Sequence, residues 1–232
     1  MSLFTATGEE AKASASKKSV DLKTAYIRLK ENESVRVRVL GLTDYVEYKA
    51  HGDFNLGIYT QPCLTPMSGE LDPLCVASKS GIEGFDKLVA KKRYIFALYD
   101  LDMKAIRFWD CSKTQASKLI GDIEEYRENI ISEDKDDLIA FNFKRTGTKT
   151  DTVYSLNPIL KLDAKGKEGF ESAEGLAVEM HHFESVLIPR TVEQQIEALK
   201  QAGFPVEEFF TVGESEAKGV DISKDENPVD QF

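Results

Sequence analysis

From Tyr26 onward the chain alternates between apolar and polar positions. Val35, Val37 and Val39 fall on one side of an extended segment and Arg36 and Arg38 on the other. That is the period of a half-buried strand with a basic outer row. Residues 45–49 continue as a second strand. Residues 52–69 read as loop, with Gly57, Pro62, Pro66 and Gly69 as breakers. Ser80 and Glu83 have the spacing of a capping box ahead of Phe85, Leu88 and Val89, a short helical face. Lys91, Lys92 and Arg93 lead into a strong strand at 94–99, and 105–111 returns as its partner after a turn. Ser112 and Gln115 cap a helix whose apolar positions Ala116, Leu119, Ile120, Ile123 and Ile130 recur at helical spacing. Residues 138–144 and 152–156 form a last hairpin around Gly147, and 161–175 reads as a linker. Thr191 and Gln194 cap a short helix that ends at Gly203, with Pro205 beyond it.

Five or six short strands joined by short turns, with one or two inserted helices, predict a mainly β chain with α additions (α+β). The expected architecture is an OB-fold-like, partly open, five-stranded antiparallel β-barrel with an inserted loop subdomain and peripheral helices. The expected organisation is a flexible arm at 1–22, a core at 23–160 with the loop subdomain at 51–90, a linker and helical segment at 161–206, and an acidic disordered tail at 207–232.

Apolar residues make up 41% of the 232, enough for a core, and no apolar run approaches the ~20 residues that span a bilayer. The first residues carry no apolar signal core. Three cysteines, Cys63, Cys75 and Cys111, are an odd number and too few for a disulfide scaffold, which points to a reducing, cytoplasmic setting. The net charge of −10 argues, taken globally, against a phosphate partner. Its distribution argues the other way. Residues 119–137 and 207–232 each hold eight acids against two bases, while 23–118 hold fifteen bases against twelve acids and 138–167 six against two. The body is mildly basic, and a ligand meets the local field.

Binding a single strand without sequence choice needs cations along the backbone and flat rings for the bases. This chain interleaves them. Arg36 and Arg38 precede Tyr48; Lys91, Lys92 and Arg93 abut Tyr94; Arg107 adjoins Trp109; Lys144 and Arg145 flank the hairpin carrying Tyr154. Arg36, Arg38, Lys91, Lys92, Arg93, Lys144 and Arg145 are expected on phosphates. Tyr48, Tyr94, Trp109 and Tyr154, whose polar edges tolerate exposure, are expected on bases. Phe96, Phe108, Phe141 and Phe143 are assigned to the core. The competing reading is that the rings all pack the barrel and the charges solvate its edges.

His51, Cys63 and Cys75 are ligand types suited to zinc. Cys75 and Ser78 have the frame of a Cys-x-x-Cys hook, with serine in place of the second sulfur. A neutral serine is a poor fourth donor, so the expectation is a loop without cofactor, with zinc as the alternative. A Cys/His nucleophilic pair is a third reading. The end of the chain, with Asp230 and a terminal Phe232, suits docking of a partner protein through a ring and a carboxylate. The phosphate-binding glycine loops, the nucleophile elbow and the H-E-x-x-H zinc motif are missing from the sequence.

In order, Ser34 to Leu40 with its two arginines, His51-Gly52, Cys63, Cys75 with Ser78, Lys91 to Tyr94, Arg107 to Trp109 and Phe141 to Arg145 resemble the helix-destabilising single-stranded-DNA-binding family of T-even and related phages. The resemblance implies an OB-fold core with a zinc-bearing subdomain, non-specific binding of single-stranded DNA, and a tail that contacts replication or recombination proteins. It also implies a basic N-terminal arm, with Lys12, Lys17 and Lys18 as candidates, and self-association. Family zinc ligands are one histidine and three cysteines, and Ser78 stands where the third cysteine is expected. The chain is accordingly read as non-enzymatic, acting in phage or prophage replication, recombination and repair, with no membrane partner. The rival is an OB-like replisome adaptor that binds protein alone.

Overall fold

The computed structural model describes residues 20–69, 71–132, 134 and 137–210, together with Gly8. Most of the predicted arm lies outside these residues. So do the predicted tail from 211 onward and, with it, Asp230 and Phe232.

Seven strands form one open, mostly antiparallel sheet: β1 (Ser34–Arg38), β2 (Tyr45–Asp53), β3 (Ile58–Pro62), β4 (Lys91–Asp100), β5 (Ala105–Ser112), β6 (Ala140–Thr146) and β7 (Val153–Ile159). Their order is β3-β2-β4-β1-β6-β7, with β5 also paired to β4. The chain is thus α+β, with a mainly β body and added helices.

One core lies on the face built by Val37, Phe96, Leu98, Trp109, Phe141 and Phe143, closed by Leu119 and Ile123 of α4 (Lys113–Glu125). That helix starts as expected: the Ser112 and Gln115 side chains cap each other's backbone N–H groups reciprocally. A second core sits over β3. It joins Ile58 to Leu74 and Ala77 of α3 (Pro73–Lys79) and to Phe85 and Leu88 of a 3₁₀ turn. Its roof comes from the far end of the chain: Leu199 of α8 (Val192–Gln201), Val206 of α9 (Val206–Phe209), and Phe204 and Phe210 beside it. Phe85 and Phe204 meet edge to face with centroids 5.0 Å apart. A forty-residue insert buries too little apolar surface to stand alone, so the C-terminal helices complete it.

Three expectations are corrected. Residues 52–69 are not all loop: β2 runs on to Asp53, and Ile58–Pro62 pairs with it. Gly52 sits where the register shifts, and a Cβ there would lie 3.2 Å from the Thr60 nitrogen, so the missing side chain permits the close approach. Residues 161–175 are not a linker, because α6 (Ala164–Ser172) occupies them, with Asp163 accepting from the Gly166 N–H. Two glycines hid this helix from a propensity reading, yet Gly169 packs so tightly on the Leu101 carbonyl that a Cβ would clash with it. The Ser80–Glu83 capping box does not form. The Ser80 hydroxyl donates back to the Ala77 carbonyl (2.8 Å), and Gly84, with φ of 89°, opens the 3₁₀ turn instead.

Leu199 is fully buried in the second core. Leu199→Ala is expected to cost about 2–5 kcal/mol in urea unfolding; a cost near zero would mean that the C-terminal helices merely rest on the insert.

Candidate functional site

The cations expected on phosphates divide into two kinds. The arginines are engaged within the fold. The Arg36 guanidinium donates to both Asp102 oxygens and to Asp163; it holds Asp102 below the usual carboxylate range, while Asp163 is held low first by the Gly166 N–H and then by Arg36. Arg38 lies 4.3 Å from the Phe170 ring centroid and donates to the Phe170 carbonyl. Arg93 donates to Asp110 at 3.0 Å, and Asp110 also accepts from the Tyr48 hydroxyl at 2.9 Å. Burial pushes the Asp110 carboxyl up, and the pull of Arg93 works against it. Arg145 donates to the Leu29 carbonyl at 2.7 Å.

The lysines stay at the surface. Lys91 and Lys92 are exposed, Lys92 pairing with Glu47 at 2.9 Å. Lys144, half-buried, faces Ser34 and Ser155 across the neighbouring strands. The sheet does not gather all these cations into one row: Lys91 and Lys92 open β4 beside β2, while Lys144 and Arg145 lie beyond β1 on β6.

Two of the four expected base platforms are core residues. Trp109 is 1% exposed and Tyr154 4%. Their rings pack 4.7 Å apart, with Phe143 at 5.0 Å from Trp109. Trp109 is in phase with Arg107 along β5, but both faces of that strand are covered at Trp109, so phase alone misjudges its exposure. The polar edge of a tryptophan or tyrosine permits exposure without requiring it. Tyr48 is half-buried and tied to Asp110, and burial raises its hydroxyl well above the usual range. Tyr94, also half-buried, donates its hydroxyl to Glu47. The four phenylalanines assigned to the core are buried there.

A cavity of about 570 Å³ opens where β2, β3, the start of β4 and the β5–α4 junction meet. Lys91, Lys92, Lys113, Ser112 and Thr114 line it on one side, and Phe54 and Tyr59 on the other. Asp53 accepts from the Asn55 N–H, and Gly57 closes the 3₁₀ turn in the left-handed region (φ 66°). This turn holds Phe54 out at 76% exposure, edge-on to Tyr59 with centroids 6.1 Å apart. Cations beside flat exposed rings are the pairing sought in the sequence, but two rings and one lysine are different residues. Phe54 lies between Asp53 and Asn55, ahead of Gly57, a turn signal available in the sequence. Lys113 directly follows the helix cap. Tyr59 sat in the segment read as loop.

Behind the cavity wall, His51, Cys63 and Cys75 do meet in space, and Asp72 joins them: one donor atom from each lies within 4.8 Å of every other. β2 supplies His51, the residue after β3 supplies Cys63, and α3 with its N-cap supplies Cys75 and Asp72. Asp72 and His51 side chains are wholly buried. Burial alone would raise the Asp72 carboxyl, but His51 and the Leu64 and Cys75 N–H groups outweigh it and hold it at about 2. Burial pushes the Cys63 thiol up to about 12. The Ser78 hydroxyl donates instead to the Cys75 carbonyl at 2.9 Å.

Comparison with protein-family models gives no match, and comparison with curated proteins gives none. Among the described residues no helix is long and apolar enough to cross a membrane.

The different placement of the rings has a measurable consequence. Trp109→Ala is expected to cost about 3–5 kcal/mol in urea unfolding, and Phe54→Ala to stay within about 0.5 kcal/mol. The reverse order would restore Trp109 as a surface platform.

Proposed function

We propose that the chain binds single-stranded DNA without sequence choice, using an OB-like sheet as its platform and no catalytic chemistry. The observation that carries this reading is the cavity at the head of β4, where Lys91, Lys92 and Lys113 stand beside the exposed rings of Phe54 and Tyr59. Ammonium groups attract phosphates at any sequence, and stacked bases present a π-face whatever their identity. The N-terminus of the thirteen-residue α4 also opens on this cavity through Lys113 and Thr114, adding the positive end of its dipole. Tyr94 borders Lys92 through their shared partner Glu47. Lys144 serves a more distant stretch of the same strand.

The ordered likeness to the phage helix-destabilising family supports a role in phage-type replication, recombination and repair. In that role the acidic end with Asp230 and Phe232 recruits replication proteins.

Anisotropy of a labelled thirty-residue oligodeoxythymidylate across a salt series tests the binding, with the matching duplex as control. The expected result is tight, salt-sensitive binding to the single strand and weak binding to the duplex. Lys91→Ala, Lys92→Ala and Lys113→Ala are each expected to lower the salt slope by about 0.7. Phe54→Ala is expected to weaken binding by about 1–3 kcal/mol with the slope unchanged. Absence of single-strand binding at low salt would overturn the function. Intact binding by the Lys91, Lys92, Lys113 and Phe54 variants would overturn the site.

A further inference from the structure

We infer that Asp72, and not position 78, supplies the fourth donor of a closed site for a zinc-like divalent cation, with His51 Nε2, Cys63 Sγ and Cys75 Sγ as the other three. Three of the six donor-to-donor spacings have the size of a filled tetrahedron's edges, and all six lie within 4.8 Å. Ligand bonds of about 2.0–2.3 Å around zinc imply donor-to-donor edges of about 3.3–3.8 Å. The edges found are 3.4 Å from His51 Nε2 to Asp72 Oδ1, 3.6 Å from His51 Nε2 to Cys75 Sγ, and 3.6 Å between the two sulfurs.

The outer contacts orient the donors. His51 Nδ1 faces the Leu88 carbonyl at 2.5 Å; a carbonyl only accepts, so Nδ1 carries the proton and Nε2 turns to the cluster. Asp72 is fixed at both oxygens, Oδ1 accepting from the Cys75 N–H at 2.8 Å and Oδ2 from the Leu64 N–H at 2.7 Å. Metal-binding histidines and carboxylates are ordinarily held in this way. What remains between the four groups is a buried meeting of a carboxylate, an imidazole nitrogen and two sulfurs, all close enough to share one cation. A proton on Nε2 would answer the carboxylate alone. A divalent ion answers all four, and the two thiols release their protons to water as it enters. Two sulfurs, one nitrogen and one oxygen in a closed arrangement favour a borderline-soft ion over calcium or magnesium.

The site is tested without DNA, so its failure and that of the binding reading are separable. The full chain, chelator-stripped and kept reduced, is titrated with Co²⁺ and followed by absorbance. The expected result is one equivalent bound, with sulfur-to-cobalt charge transfer and the intense visible bands of four-coordination, displaced by Zn²⁺. Ser78→Ala is expected to behave as the parent chain. Asp72→Ser keeps a good helix cap and is expected to lose at least about tenfold in affinity. Asp72→Cys is expected to bind with charge transfer raised by about half, in step with the thiolate count. No uptake by the parent chain would overturn the site. Asp72 variants with the parent's affinity and spectrum would overturn the fourth donor.

Discussion

β4 is the strand on which the rest of the sheet hangs. Its ten residues pair with β5 along one edge from Arg93 to Asp100, while the other edge takes β2 from Lys91 to Phe96 and then β1 at Tyr99 and Asp100. A strand bonded on both edges has its backbone groups satisfied in the interior, which permits burial of both faces. That burial follows: Phe96 and Leu98 enter one core with Trp109, and Ile95 and Ala97 enter another with Phe108 and Phe183. Only the first residues escape, so Lys91 and Lys92 project where β2, β3 and α4 part. The cationic cavity sits at the head of β4 because nowhere else along that strand is a charge free of both cores.

The same enclosure explains how arginine and lysine divide their work. Arg36, Arg38 and Arg93 lie far enough inside the sheet that an unpaired charge would be costly. Each is answered, by Asp102 and Asp163, by the Phe170 ring and carbonyl, and by Asp110. A planar guanidinium meets two or three acceptors at once, whereas a strongly hydrated ammonium is left for the rim. Arg107 follows the rule, bridging Asp100 and the Thr24 and Tyr26 carbonyls and so fastening α1 (Leu22–Ala25) to β5. In sequence Arg36, Arg38 and Arg93 look like a phosphate-binding row; in the fold they are staples between elements.

Much of the local structure was legible because it rests on neighbours. Alternation marked β1, a strong apolar run marked β4 with β5 as its returning partner, and the reciprocal caps at Ser112 and Thr191 marked the starts of α4 and α8. What escaped depends on contacts made across the chain. β3 is short and bounded by Gly57 and Pro62, and it becomes a strand only because β2 offers it an edge. The glycines of α6 read as breakers until Leu101 packs against one of them. Trp109 and Tyr154 carry the same polar edges whether buried or exposed, and the ring stack around Phe143 decides between the two. Asp72 caps α3, and its place beside His51 appears only when β2 brings that residue alongside.

His51 joins the two candidate sites physically. It lies on β2, lines the cationic cavity and contributes to the His51–Cys63–Asp72–Cys75 cluster. Cys63 follows β3 directly, so the cluster grips the β2–β3 hairpin at its base while Phe54 and Tyr59 stand at its tip. A two-stranded ribbon on its own is marginal, and β3 is the sheet's outermost strand on that side. The rigidity of the two rings therefore depends on what holds the hairpin's base to α3 and to the turn at Leu88. An ion at the cluster ties all three together. A metal-free cluster leaves that task to the second core, which is itself completed only from residues beyond 190. Under the proposed function, ordering the rings in advance would lower the entropy cost of binding a flexible strand of nucleic acid, and the buried cluster would bear on the surface site without touching that strand.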